Sequence, residues 1–137
     1  MSVRFVAAVA LTLAAFIAAC GGGSAIPDDP RVLKIGSVAE EATYAYAADG
    51  PAGLYDFLSP DVRDRCSKDQ FGQVLAGREA PTGFRGLKKV EFRGEEALVT
   101  VIFIVRDHDE DVEWVFAPGT EDNWYLSQVP GIEGCGR

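Results

Sequence analysis

Residues 97–105, Ala97-Leu98-Val99-Thr100-Val101-Ile102-Phe103-Ile104-Val105, decide the fold. The run is apolar and largely β-branched, broken only by Thr100, which is strand chemistry. Upstream, Val90 and Phe92 alternate with Lys89, Glu91 and Arg93, and Gly94-Glu95 supplies a turn. Downstream, Arg106 to Asp111 reads as a polar turn, and Val112, Trp114 and Phe116 alternate again. Pro118 to Asn123 is a loop, and Trp124 to Val129 closes the series. Four consecutive strands with short connections predict an antiparallel meander.

The first half has a different period. Ser37-Val38-Ala39-Glu40 is a capping box that opens a helix to about Ala48, with Val38, Ala42 and Ala45 on one stripe. Asp49-Gly50-Pro51 ends it and starts a second helix carrying Leu54, Tyr55, Phe57 and Leu58. Ser59-Pro60-Asp61 caps a short third piece to about Arg65. A second capping box, Ser67-Lys68-Asp69-Gln70, leads Phe71, Val74 and Leu75 to a stop at Gly77. Helices followed by a meander predict an α+β domain, its N-terminal helices packed on one face of a curved four-stranded antiparallel sheet.

The N-terminus carries an address. Arg4 precedes an uncharged stretch from Phe5 to Ala19, and Ile17-Ala18-Ala19-Cys20 closes it, followed by Gly21-Gly22-Gly23-Ser24. This is the layout of a secretory signal. Its 15 residues fall short of the roughly 20 needed to cross a bilayer core. With Cys at the cut, the segment resembles the bacterial lipobox, an aliphatic residue and two small residues before an invariant Cys. The resemblance implies cleavage before Cys20, diacylglycerol on its sulfur, and a mature protein held on the extracytoplasmic side of a bacterial membrane. The alternative is a conventionally cleaved signal. The expected organisation is residues 1–19 as signal, 20–31 as lipidated Cys and flexible tether, and 32–137 as one domain.

Composition narrows the partners. The whole chain carries −8, and removing Arg4 with the signal leaves 12 cations against 21 acids, or −9. That argues against nucleic acid and against an anionic membrane surface as partners, because both call for a basic face. With Cys20 taken by lipid, Cys66 and Cys135 remain as an even pair in an oxidising compartment, which favours a disulfide over two free thiols.

Catalytic and metal signatures are sparse. His108 stands alone among Arg106-Asp107-His108-Asp109-Glu110-Asp111. Alternating Asp107, Asp109 and Asp111 suggest a calcium loop, but Val112 stands where Gly is required and Pro118 where the bidentate Glu belongs. There is no Gly-x-Ser-x-Gly, no metal-spaced His/Cys set and no phosphate loop. No metal, no cofactor and no catalytic residue is expected. Ala97–Val105 is apolar on both faces, so Leu98, Ile102 and Ile104 call for cover on the side away from the helices.

Ala47-Ala48-Asp49-Gly50, then Leu54-Tyr55-Asp56-Phe57-Leu58-Ser59-Pro60-Asp61-Val62-Arg63, with the strand pair and Trp124, resembles the nuclear transport factor 2-like superfamily. That superfamily is a cystatin-like α+β cone and includes SnoaL-like and ketosteroid isomerase-like proteins. The resemblance covers about residues 37–130. It implies a sheet wrapped around a long helix and a conical cavity for a small apolar ligand. Tyr44 and Tyr46 offer a helix hydroxyl. The pocket is expected to be lined by Tyr44, Phe57, Phe71, Val101, Phe103, Trp114 and Trp124, although core packing is the first expectation for Tyr44, Tyr46 and both Trp residues. The resemblance implies that the open sheet face is often a dimer face, which makes Leu98, Ile102 and Ile104 interface candidates for a homodimer or an envelope protein. The expected function is a lipid-anchored, non-catalytic domain that binds a small apolar ligand or an envelope partner. The alternative is a small isomerase- or dehydratase-type enzyme using the cone.

Overall fold

A computed structural model of the chain describes residues 25–135. The signal expected over 1–19 and the lipidation at Cys20 lie outside those residues. Four helices precede four strands: α1 (Pro30–Asp49), α2 (Pro51–Tyr55), α3 (Pro60–Arg65), α4 (Lys68–Leu75), then β1 (Gly83–Arg93), β2 (Glu96–Val105), β3 (His108–Pro118) and β4 (Trp124–Gln128). The strands form one antiparallel sheet in the order β1-β2-β3-β4. The fold is therefore α+β, with helices N-terminal to an open meander.

α1 begins seven residues before the Ser37 capping box. Asp29 has extended backbone and its carboxylate accepts from the Arg31 N–H, while Pro30 sits at the first helical position. That signal precedes Ser37, which lies exposed in mid-helix. The tether expected over 20–31 is correspondingly shorter. Pro30 and Arg31 are helical, and the Ala25 carbonyl accepts from the Val90 N–H of β1 at 2.9 Å. α1 buries Ile35, Ala39, Ala42, Thr43 and Tyr46 on one stripe. The Thr43 hydroxyl is satisfied by the Ala39 carbonyl at 2.7 Å. Gly50, with φ +67°, stops α1, and Pro51 starts α2.

The second helix ends at Tyr55, before Phe57 and Leu58. Residues 57–59 pair with β4 instead: the Leu126 N–H donates to the Phe57 carbonyl and the Ser59 N–H to the Leu126 carbonyl, both at 2.8 Å. This closes the outer edge of a five-residue strand. The Ser67 cap is as the sequence predicts, its hydroxyl accepting from the Gln70 N–H. Tyr55 donates from its hydroxyl to the Cys66 carbonyl at 2.8 Å, tying α2 to the end of α3.

β1 is longer than its alternation suggests. Its ladder with β2 shifts register between Phe84 and Gly86 and again between Leu87 and Lys89, leaving Arg85 and Lys88 as extra residues. Bulges break the period of two and re-aim side chains. β3 is longer as well, beginning at His108 directly opposite Val105. The turn is Arg106-Asp107 alone, with Arg106 at φ +58°.

The core lies between the helices and one sheet face, where Val99, Val101, Phe103, Trp114, Phe116 and Leu126 are buried. α1 packs on both outer strands, β1 and β4. Cys66 and Cys135 lie at disulfide distance, their Cα atoms 5.1 Å apart. The pair holds the final 3-10 turn, Ile132–Gly134, against α4.

Candidate functional site

The inner face of β2 and β3 carries a ladder of aromatics. The Phe103 and Trp114 rings meet edge to face at 5.3 Å between centroids, Trp114 meets Phe116 at 6.2 Å, and Tyr46 of α1 approaches Phe103 at 6.4 Å. Between this ladder and the helices, beside Tyr46, Leu54 and Leu75, is a cavity of about 170 Å³. Arg78, Glu79 and Glu110 form its polar rim, and Val112, Val129 and Pro130 complete the wall. Burial pushes the Tyr46 hydroxyl above its ordinary value, and the positive charge of Arg78 opposes that shift. Glu79 is paired with Arg106 at 2.6 Å. Glu110 approaches His108 Nε2 at 3.9 Å with its side chain 54% exposed. The chemistry available is an apolar slot with mixed charge at its mouth. A larger groove of about 580 Å³ between α3 and the β3–β4 turn has Tyr125 as its one aromatic lining residue.

The expected pocket residues are divided among four places. Phe103 and Trp114 line the cavity. Phe71 and Val101 are fully buried in the core, and Phe57 packs half-buried against it. Trp124 is buried near the start of α1, beside a separate groove. Tyr44 is 51% exposed, so the tyrosine of the cavity is Tyr46, two residues further along the helix. Glu110 is the carboxylate that the sequence reading overlooked. Because the strand reaches His108, Glu110 continues the inward series Phe116, Trp114, Val112 and pairs with Phe103.

The outward row has its own electrostatics. Ile102 pairs with Asp111 and Ile104 with Asp109. The bulged Lys88 and Arg85 of β1 form ion pairs with those same carboxylates, so two bridges cross over β2 on its outer face. Leu98, Ile102 and Ile104 are half-buried there. Asp109 and Asp111 thus belong to strand ion pairs rather than to a calcium loop. Among the described residues no three His, Cys, Asp or Glu side chains converge on a metal position, and no helix is long and apolar enough to cross a membrane. Compared with protein-family models, with curated proteins and with solved structures, the chain matches none.

Proposed function

We propose that the chain is a lipid-anchored, extracytoplasmic binding domain of the nuclear transport factor 2-like kind. Its ligand is a small molecule with an apolar body that rests against Tyr46, Phe103 and Trp114 and a polar group that meets Arg78. The cavity between helices and sheet carries this reading. At about 170 Å³ it lies below the roughly 300–1,000 Å³ of pockets for drug-sized ligands, which suits a small molecule. The lipobox-like Ile17-Ala18-Ala19-Cys20 supports the anchor, and the Cys66–Cys135 pair suits an oxidising compartment.

Native mass spectrometry of residues 25–137, purified without refolding, tests the binding half. The expected particle carries added mass that is lost on denaturation and reduced by Arg78→Ala. A bare particle from every preparation, with no mass gained from short-chain carboxylates or alcohols, would contradict it.

A second reading rests on the outer face, where Leu98, Ile102 and Ile104 stay half-exposed and two ion pairs cross beside the isoleucines. In that reading a second copy or an envelope protein covers the sheet, and the solution mass of the domain decides it.

A further inference from the structure

We propose that the β1 edge of the sheet lies against the headgroups of the membrane that holds Cys20, which fixes the domain's orientation. This rests on the lipid anchor proposed above. The chain enters the domain at that edge, where the Ala25 carbonyl accepts from the Val90 N–H at 2.9 Å. Only Gly21 to Ser24 separate that bond from Cys20. Five Cα-to-Cα steps reach at most about 18 Å even when fully extended. A domain of this length has a radius of gyration of about 13 Å, so its full width exceeds the link. Turning β4 toward the membrane would require Ala25 to leave the sheet.

Charge selects the same side. β1 holds Arg85, Lys88, Lys89 and Arg93 against Glu91 alone, a local +3 that falls to +1 when Asp109 and Asp111, the partners of Arg85 and Lys88, are counted with it, while the whole of residues 20–137 carries −9. Arg31, at the start of α1, lies over the Phe92 ring of β1 at 3.8 Å, with its charge matched by Asp29 at 2.7 Å. β3, two strands away, carries Asp109, Glu110, Asp111 and Glu113. An anionic headgroup layer therefore attracts the near edge and repels the interior of the sheet over the Debye length of about 8–10 Å. The overall −9 argues against adhesion of the free protein to such a surface. Once the chain is anchored, the gradient across the sheet sets which edge faces it.

The ladder supplies the ruler. Lys89 pairs with Thr100, and Thr100 with Glu113, so the first and last lie on one line across the strands. Two strand spacings place them about 10 Å apart on the same face. The full chain, processed in its host, would be extracted and reconstituted into phosphatidylglycerol/phosphatidylethanolamine vesicles containing a headgroup nitroxide. Lys89→Cys and Glu113→Cys would be labelled in turn with a small fluorophore. The Lys89 label is expected to be quenched at least about twofold more than the Glu113 label, given the ~10 Å difference in depth. Equal quenching, or stronger quenching at Glu113, in protein whose Cys20 peptide carries its acyl mass overturns the orientation and leaves the anchor standing. An unmodified Cys20 peptide removes both. A Lys89 label shielded from aqueous quencher in detergent as well as in vesicles would place a second copy on the edge, and that also overturns the proposal.

Discussion

Cys135→Ser isolates what the cysteine pair contributes. Cys66 is fully buried and Cys135 only half-buried, so replacing Cys135 opens the bridge without hollowing the core around Cys66. The pair is separated by 69 positions. Closing a loop of that length removes about 4 kcal/mol of chain entropy from the unfolded state. With a urea slope of ~1–3 kcal/mol/M for a domain of this size, the midpoint should fall by roughly 1.5–4 M. The loss should also be local. Gly134 approaches Val74 so closely that an added Cβ would sit 3.0 Å from Val74 Cγ1. Releasing the tail should therefore expose the Val129–Cys135 segment to exchange and proteolysis before the sheet opens. Urea unfolding under oxidising conditions, followed by tryptophan fluorescence, measures the first effect, and amide exchange of residues 129–135 measures the second. A variant that unfolds within a few tenths of a molar of the parent would refute the reasoning, as would a parent with two titratable thiols.

Gly53→Ala should destabilise despite the helical setting, because its Cβ would stand 2.2 Å from the Ala45 carbonyl oxygen, forcing α1 and α2 apart. The cost is ~1–3 kcal/mol, read as a fall in Tm of roughly 5–20 °C; an unchanged Tm would disprove the close approach. Burial raises the Tyr46 hydroxyl above its unfolded value near 10, so its share of stability is complete below that pH and is lost as the pH rises through the folded value. Tyr46→Phe should flatten the alkaline decline above about pH 10, and an equally steep decline in both proteins would contradict this. Ile102→Glu, placed between the two ion pairs on the outer face, should lower the sedimentation mass if a second copy covers the sheet. A parent that is already monomeric, or an unchanged mass, would remove that reading.

Much of this architecture is legible in the sequence. The two-faced apolar run at 97–105 and the alternation of Val112, Trp114 and Phe116 yield the meander, and the Ser67 box yields α4. The failures have physical causes. Bulged Arg85 and Lys88 interrupt the alternation of β1, so only its second half reads as strand. The polarity of His108 to Asp111 imitates a turn because those side chains sit at the wet end of β3, two of them held by cations from β1. Losing that piece of strand also hid Glu110. On α1 the stripe Val38, Ala42, Ala45 is out of phase with the buried stripe Ile35, Ala39, Ala42, Tyr46. That phase difference is what separates Tyr44, half in solvent, from Tyr46 in the cavity wall. The cavity depends on how the helices sit over the sheet, which local periodicity does not encode.

The central claim is that Cys20 holds this domain at a membrane, and the mass of the mature N-terminal peptide from the membrane fraction tests it most directly. The account predicts a peptide that begins at Cys20 and carries diacylglycerol on its sulfur. A peptide beginning at another residue, or an unmodified Cys20, would contradict it.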